Sequence, residues 1–172
     1  MNVSNALSVL FQHKFSISTE TIFLKDSIGR TLSKPLTVSK SIPGFDTSSM
    51  DGFAIKKSSL GKIKRFRILG EIPAGSKSGY VIRPFECFRV YTGSRMPKNA
   101  DFVVIQENTM TEDDFMYVVA VDKKNSYVRK KGLDFIRGQV INHPMIIDFK
   151  LISALASFNL QKVSVIKKPK VC

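Results

Sequence analysis

The sequence is poor in acidic residues and in the residues that build compact metal or redox sites. It has no tryptophan, two cysteines and two histidines, and 14 acidic residues stand against 27 basic ones. Cys87 and Cys172 lie far apart, and neither they nor His13 and His143 show the spacing of a zinc or redox motif. These absences exclude a disulfide scaffold and a zinc finger, and they favour a cytoplasmic protein with reduced thiols.

Long apolar runs and recognisable catalytic signatures are also missing. No stretch approaches the roughly 20 apolar residues that a membrane-spanning helix needs. The first residues, "MNVSNALSVLFQHKF", lack a basic leader and a small-residue cleavage site. No serine stands in a nucleophile-elbow pattern, and no glycine-rich phosphate loop is present. We therefore expect a cytoplasmic protein without a membrane partner, whose chain carries no complete active site of its own.

The shortage of acidic residues leaves a formal net charge of +13 on 172 residues. Three stretches concentrate the basic residues: 56–67, 123–131 and 162–170. A field of this kind attracts polyanions, which include nucleic acid, an acidic membrane face and a phosphorylated small molecule. A solvated, lysine-rich surface is the alternative interpretation, because runs of like charge usually face water.

The apolar residues that are present predict two helices and a β-rich centre. Apolar side chains recur at helical spacing in "NVSNALSVLFQ" and in "DFKLISALASFNL", where Asp148 is the expected N-cap. Between residues 45 and 131, short runs of β-branched and aromatic residues are separated by Gly, Pro and Asn. This pattern predicts an antiparallel β-barrel or sandwich lobe inserted between two mixed segments.

The stretch "SIPGFDTSSMDGFAI", residues 41–55, places two carboxylates and three hydroxyl residues in a loop that enters an apolar strand. On one interpretation it is turn chemistry alone: Asp46 with Thr47, Ser48 and Ser49 bonds to the backbone of the loop itself, and Asp51 with the following glycine makes a second tight turn. On the other, Met50 and Phe53 anchor both sides of Asp51. An anchored, exposed carboxylate can bind a hard cation.

A second polar cluster is "FRVYTGSRMPKNADFVVIQE", residues 88–107. A strand leads into a hydroxyl-rich turn from Thr92 to Ser94, where backbone amides can face an anion. Arg95 and Lys98 add positive charge beside this turn. The alternative is a hairpin-like connection that holds no ligand.

Four motifs occur together in a characteristic order: "PGFDTSSMDGFAI", "IPAGSKSGY", "ECFRVYTGSRMPKNADFVVIQE" and "RKKGLDF". On these motifs the sequence resembles the N-terminal and linker portion of the MoeA/gephyrin family, the molybdopterin molybdenumtransferases that insert molybdate into adenylylated molybdopterin. The resemblance runs from about the first helix to the last residue. It implies an α+β, mainly β fold, in which a β-barrel-like lobe (45–131) is inserted into an elongated mixed α/β linker lobe (1–44 together with 132–172).

The resemblance also implies roles for individual residues. Asp51 and Thr92 match the barrel-lobe residues implicated in the active site, and they are expected to position molybdate or the Mg²⁺ that accompanies it. Asp51 is the expected Mg²⁺ ligand. Ser94, Arg129 and Asp134 are expected to contact the substrate.

This chain departs from the family pattern in two respects. Leu133 stands where the last motif usually has an acidic residue. This removes a charge and weakens the assignment of a functional role to the segment "RKKGLDF". Family members also continue into a doubly wound α/β domain that binds the pterin phosphate and nucleotide, followed by a small β domain, and this chain contains neither. We therefore expect the N-terminal part of a molybdenumtransferase, either truncated or encoded by a split gene.

Such a chain would form a homodimer and supply one wall of an active site at the dimer interface. A catalytic pterin-binding domain, in cis or in trans, would supply the rest, and the isolated chain would be inactive. Two other hypotheses stay open. One is a non-catalytic dimerisation or binding module left by gene truncation or splitting. The other is a basic nucleic-acid-binding protein, although the basic stretches lack the interleaved aromatic residues of an RNA-recognition surface.

Overall fold

The structure of this chain is a computed structural model that describes residues 2–12, 17–77 and 79–169. His13 and Cys172, considered above as site residues, lie outside the described residues. Within those residues the fold is mainly β, with two α-helices. None of the helices in the described part of the chain has the length and apolar character needed to cross a membrane.

The elements follow one another along the chain as many short strands with one helix near each end. In chain order they are α1 (Val3–Gln12), β1 (Thr19–Phe23), β2 (Leu36–Thr37), β3 (Thr47–Ser48), β4 (Gly52–Ile55), β5 (Arg65–Ile72), β6 (Glu86–Val90), β7 (Phe102–Ile105), β8 (Thr109–Glu112), β9 (Phe115–Val118), β10 (Val128–Arg129), β11 (Val140–Ile141), α2 (Phe149–Ser157) and β12 (Lys162–Ile166). Both predicted helices are therefore confirmed.

The chain forms two compact units. One unit combines Met1–Val38 with Gln139–Cys172, and the other is the continuous segment Ser39–Gly138. The family-based assignment of residues 45–131 to an inserted barrel lobe stays a prediction.

The unit made from the two chain ends packs α2 against an antiparallel pair of strands. Strands β1 and β12 pair along their full length, and β2 pairs with β11. The core of this unit consists of Leu24, Leu32, Ile147, Leu155, Val163 and Val165. Asp148 caps α2 as predicted, since its Oδ1 accepts the Leu151 N–H at 2.7 Å.

The Ser39–Gly138 unit is built on a six-stranded sheet with the order β7-β4-β6-β5-β9-β8. The prediction of an antiparallel lobe is wrong at one pair, because β5 runs parallel to β6. The hairpin-like alternative for residues 88–107 is also wrong. Strands β6 and β7 do not pair with each other; each pairs with β4, which lies between them.

This sheet is buried on both faces at its centre. All four residues of β4 are buried, and alternate side chains enter different clusters. Phe53 and Ile55 belong to one core with Phe66, whereas Ala54 belongs to a second core with Ile72. Phe66 and Ile72 would share a face in a regular strand. A one-residue bulge between Ile68 and Glu71 reverses the alternation, so β5 contributes to both cores.

Candidate active site

The loop of residues 41–51 is held between two other segments of the chain. On one side β3 pairs with β10, which sets Thr47 opposite Arg129. On the other side the Ser48 N–H donates to the Ser94 carbonyl, and the Gly93 N–H donates to the Ser48 carbonyl, both at 2.9 Å. The loop therefore links the segments that carry all five predicted site residues.

Thr92 lies at the second position of a tight turn. The Ser94 N–H donates to the Tyr91 carbonyl at 2.8 Å, and Gly93 has φ 86°, which a type II turn requires at its third position. Ser94 is fully buried, and its Oγ accepts the Tyr91 N–H at 2.9 Å. The described bonds thus place Ser94 in the framework of the turn, and its contact with substrate stays a prediction.

Asp51 and Thr92, 41 residues apart in sequence, meet directly. Oδ1 of Asp51 accepts the Thr92 backbone N–H at 2.8 Å and the Thr92 hydroxyl at 3.0 Å. These two bonds, the backbone bond first, lower the pKa of Asp51, and the positive charge of Arg89 lowers it further. The carboxylate is therefore ionised at neutral pH. No donor among the described residues reaches its other oxygen, Oδ2.

The position of Asp51 depends on its neighbours in β4. A Cβ at Gly52 would lie 2.1 Å from the Val104 carbonyl oxygen, so only glycine allows β4 and β7 to approach this closely. Phe53 is buried as expected, but Met50 is 37% exposed, so the prediction that Met50 anchors the loop is wrong. The Ser48 hydroxyl replaces that anchor by donating to the Met50 carbonyl at 2.5 Å.

Three further side chains surround the Asp51–Thr92 pair. The Tyr91 hydroxyl donates to Oε2 of Glu71 at 2.5 Å, and this bond raises the pKa of Tyr91. The Arg89 guanidinium lies 5.6 Å from the centre of the Tyr91 ring. Sequence reasoning missed Arg89, although it stands between the buried Phe88 and Val90, and alternation along a strand would have directed it outward.

A polar cavity of about 370 Å³ opens next to this group. It is lined by Phe53, Arg89, Gln106, Glu107, Thr109 and Thr111. The Gln106 N–H donates to the Asp51 carbonyl at 3.1 Å, so a residue that lines the cavity is hydrogen-bonded directly to Asp51. One cation, one carboxylate and several neutral polar groups suit a hydrated, charged ligand better than an apolar one.

The predicted substrate residues Arg129 and Asp134 form a pair of their own. Nη2 of Arg129 lies 3.0 Å from Oδ1 and 2.8 Å from Oδ2 of Asp134, and both side chains are more than 40% exposed. The structure therefore places the five predicted residues in two groups: Asp51 of the loop with Thr92 and Ser94, and Arg129 with Asp134. A role of Arg129 and Asp134 in substrate binding stays a prediction.

The local side-chain-to-backbone bonding predicted for residues 46–49 is confirmed at Ser48, whose hydroxyl bonds to the Met50 backbone, and is wrong at Asp46. The Asp46 carboxylate accepts the Lys130 ammonium at 2.9 Å and the Lys131 N–H at 2.8 Å. Partial burial acts to raise the pKa of Asp46, but these two bonds and the Lys130 charge together hold it below the ordinary value. Asp46 therefore ties the loop to the segment that carries Arg129.

The described residues offer little to a metal ion by themselves. None of their His, Cys, Asp and Glu side chains form a group of three that could hold one. Asp51 offers a single oxygen, Oδ2, that accepts no hydrogen bond from them. This fits Mg²⁺, which keeps several waters and takes one or two carboxylates together with substrate oxygens. A Mg²⁺ ion at Asp51 therefore stays a prediction that the residue chemistry allows.

The fold and this site define a mainly β module that presents an ionised carboxylate and a hydroxyl on its surface. The family model for the MoeA N-terminal region (domain I and II) matches residues 1–158. This chain therefore belongs to the MoeA N-terminal region family.

Curated relatives agree with that assignment, and a solved structure shares the fold. A molybdopterin molybdenumtransferase of Staphylococcus aureus (strain MSSA476) is 30% identical over 176 residues, which cover 98% of this chain and 42% of the relative. That of Bacillus subtilis is 30% identical over 89% of this chain and 38% of the relative. A molybdopterin biosynthesis MoeA protein from Pyrococcus shares the fold, with a TM-score of 0.87 at 23% identity over 98% of this chain and 45% of that one. The chain thus spans about two fifths of the length of these curated relatives.

Proposed function

We propose that this chain acts in molybdenum cofactor biosynthesis as the N-terminal portion of a molybdopterin molybdenumtransferase, which inserts molybdate into adenylylated molybdopterin. Membership of the MoeA N-terminal region family supports the reaction class. The observation that carries the assignment of the site is the pair of hydrogen bonds from Thr92 to Oδ1 of Asp51. They hold an ionised carboxylate against the Tyr91–Ser94 turn, and its second oxygen accepts no hydrogen bond from the described residues.

The charge of Asp51 determines what it can contact. Molybdate is an anion, so an ionised carboxylate repels it, and a direct contact would be unfavourable. A hard cation is the partner that such an oxygen prefers, and Mg²⁺ when bound would neutralise charge on the substrate oxygens. We therefore assign Asp51 as the Mg²⁺ ligand of this chain. Thr92 orients Asp51, and Arg89 provides positive charge for the oxyanion itself.

The remaining parts of the site lie outside the region that this chain shares with its relatives. The matched region covers 42% of the Staphylococcus aureus protein. We propose that a pterin-binding catalytic domain, in the same polypeptide or in another, faces the Asp51–Thr92 pair. On this view the isolated chain has no transferase activity.

A reconstitution assay tests the proposal. The chain is mixed with molybdate, Mg²⁺ and adenylylated molybdopterin, with and without a separately expressed catalytic domain of a relative, and activation of an apo-molybdoenzyme is measured. We expect activation only when both parts are present. Robust turnover by the chain alone would show that the active site is not divided between this chain and a catalytic domain. Absence of turnover when the chain and the catalytic domain are mixed would argue against the reaction class.

Helix α1 supports the proposal that the protein is a homodimer. None of its residues is buried, and its apolar side chains Val3, Leu7, Val9, Leu10 and Phe11 are all exposed. An apolar stripe of this kind is a suitable contact between subunits. Light scattering of Leu10→Glu tests it, with Ser8→Glu on the same helix as the matched control. If the Leu10→Glu variant is still a dimer, α1 is not part of the subunit interface.

A further inference from the structure

A second cavity of the Ser39–Gly138 unit has no part in the site described above. Its volume is about 290 Å³. Its lining includes Phe45, Asp46, Tyr80, Arg95, Met96 and Lys98. None of its lining residues borders the cavity beside Asp51. It therefore needs an explanation of its own.

Arg95 is the unusual residue of this cavity. Its guanidinium carbon lies 3.6 Å from the centre of the Phe45 ring, so the side chain is stacked and fixed in direction. Its Nε is buried and has no hydrogen-bond partner among the residues that the structure describes. None of the ion pairs among the described residues includes Arg95. Native structures rarely leave a buried N–H without an acceptor, so the setting of Arg95 is unusual. Nε itself is closed to a ligand, so a ligand in this cavity would contact the guanidinium where Arg95 lines the cavity wall.

The charges around the cavity are not balanced by the protein. Asp46 is a carboxylate of the lining, and the Lys130 ammonium at 2.9 Å already neutralises it. Lys98 lies on the exposed rim, and its side chain makes no ion pair with any described residue. Its backbone is fixed, because its N–H donates to the Tyr80 carbonyl at 2.8 Å. Arg95 and Lys98 thus line this cavity without an ion-pair partner among the described residues, beside an Asp46 carboxylate that is paired with Lys130.

We propose that this cavity binds a phosphate group, with Arg95 and Lys98 as its cationic contacts. An arginine fork matches the geometry of phosphate oxygens, and a nearby ammonium adds charge without directional demands. The cavity exceeds a single phosphate and approaches the lower limit, about 300 Å³, of small-molecule pockets. The phosphate can therefore be inorganic or the headgroup of a small phosphomonoester whose apolar part lies against Tyr80. The inference does not depend on the transferase activity.

Heteronuclear NMR titration of the full chain at constant ionic strength tests the proposal. The probes are inorganic phosphate and phenyl phosphate, and the variants are Arg95→Gln, Lys98→Gln and Arg67→Gln. Arg67 is exposed on β5 and does not line the cavity, so it is the matched control. We expect saturable shifts of the amides of Tyr80, Arg95 and Lys98 with both probes. Tighter binding of phenyl phosphate would identify the phosphomonoester as the fitting ligand, and equal binding would identify phosphate itself.

The variants decide whether the site is specific. Arg95→Gln should weaken phosphate binding about tenfold or more, a loss of about 1.4 kcal/mol, with a smaller loss for Lys98→Gln and no change for Arg67→Gln. Because Arg95→Gln removes a stacking partner of Phe45, Lys98→Gln provides a second test that leaves the packing intact. Shifts spread over all basic stretches, or equal affinity in Arg95→Gln, Lys98→Gln and Arg67→Gln, would overturn the proposal.

Discussion

Replacing Gly52 with alanine should lower the free energy of unfolding far more than the addition of one methyl group usually does. The added Cβ would lie 2.1 Å from the Val104 carbonyl oxygen and 2.9 Å from the Ile105 Cα, whereas real Cβ atoms essentially never approach within 3.0 Å of such atoms. Both obstacles are backbone, so no side chain can move aside. Strands β4 and β7 must separate by about 1 Å, and overpacking of this kind costs roughly 1–3 kcal/mol.

Urea denaturation of Gly52→Ala measures this cost, with Gly44→Ala as the matched control. A Cβ at Gly44 would meet only the Ser41 carbonyl, at 3.8 Å, and Gly44 needs no left-handed backbone. We expect a lower urea midpoint with an unchanged slope for Gly52→Ala, and a free energy of unfolding within about 0.5 kcal/mol of the parent for Gly44→Ala. Equal midpoints for the two variants would refute the close approach of β4 and β7 and, with it, the placement of Asp51.

Three further predictions follow from named contacts. Thr92→Val should raise the pKa of Asp51 towards its ordinary value, as measured by carboxyl carbon NMR, because one of the two bonds that lower it is lost; Thr92→Ser should not. The stability that these bonds supply is fully present above the ordinary carboxyl pKa, and it is lost as pH falls through the lower pKa of the folded state. The free energy of unfolding of Thr92→Val should therefore fall less steeply with decreasing pH than that of the parent. Cys87 is fully buried and burial raises its pKa to about 12, so in a Cys172→Ser background it should react with a thiol reagent only upon unfolding; rapid labelling of the folded protein would contradict its burial. A double-mutant cycle on Arg129 and Asp134 should give only about 0.2–1 kcal/mol, because both partners are well exposed; a much larger coupling would mean that this pair is structural.

The sequence predicted the elements that local patterns encode. Both helices and the Asp148 cap are where the sequence pattern placed them. Strand β8, "TMTE", was missed because three of its four residues are exposed and its pairing with β9 alone defines it. The parallel pairing of β5 with β6 was missed for a similar reason, since nothing in either segment records which neighbour it will have.

In the candidate site, too, local sequence patterns did not reveal the contacts between residues that are distant in the sequence. Asp51 and Thr92 were singled out through the family resemblance, and no spacing rule connects residues 41 positions apart. The close contact that requires Gly52 was mistaken for a turn, because Asp-Gly pairs usually mark turns. In the structure Gly52 begins β4 and faces the Val104 carbonyl. A local bond was expected at Asp46 because Asp side chains often bond to nearby backbone in turns, but its partners, Lys130 and Lys131, come from a distant segment.

These contacts give the loop of residues 41–51 a consistent role. Asp46 and Ser48 fix it to its two neighbours, and Gly52 lets the following strand enter the centre of the sheet. Asp51 is then held at the surface by Thr92 with one oxygen available. The loop is therefore mostly framework, and the proposed function uses Oδ2 of Asp51, which accepts no hydrogen bond from the residues that the structure describes.

The most direct test of this account is the Mg²⁺ dependence of molybdenum insertion by Asp51→Asn in the reconstituted system. Asp122→Asn is the matched control, because Asp122 is likewise a surface carboxylate whose pKa is lowered by local hydrogen bonds. We expect Asp51→Asn to lose about tenfold to 100-fold in rate and to need more Mg²⁺ for half-maximal insertion, while Asp122→Asn behaves as the parent. Full activity of Asp51→Asn with an unchanged Mg²⁺ requirement would contradict the account.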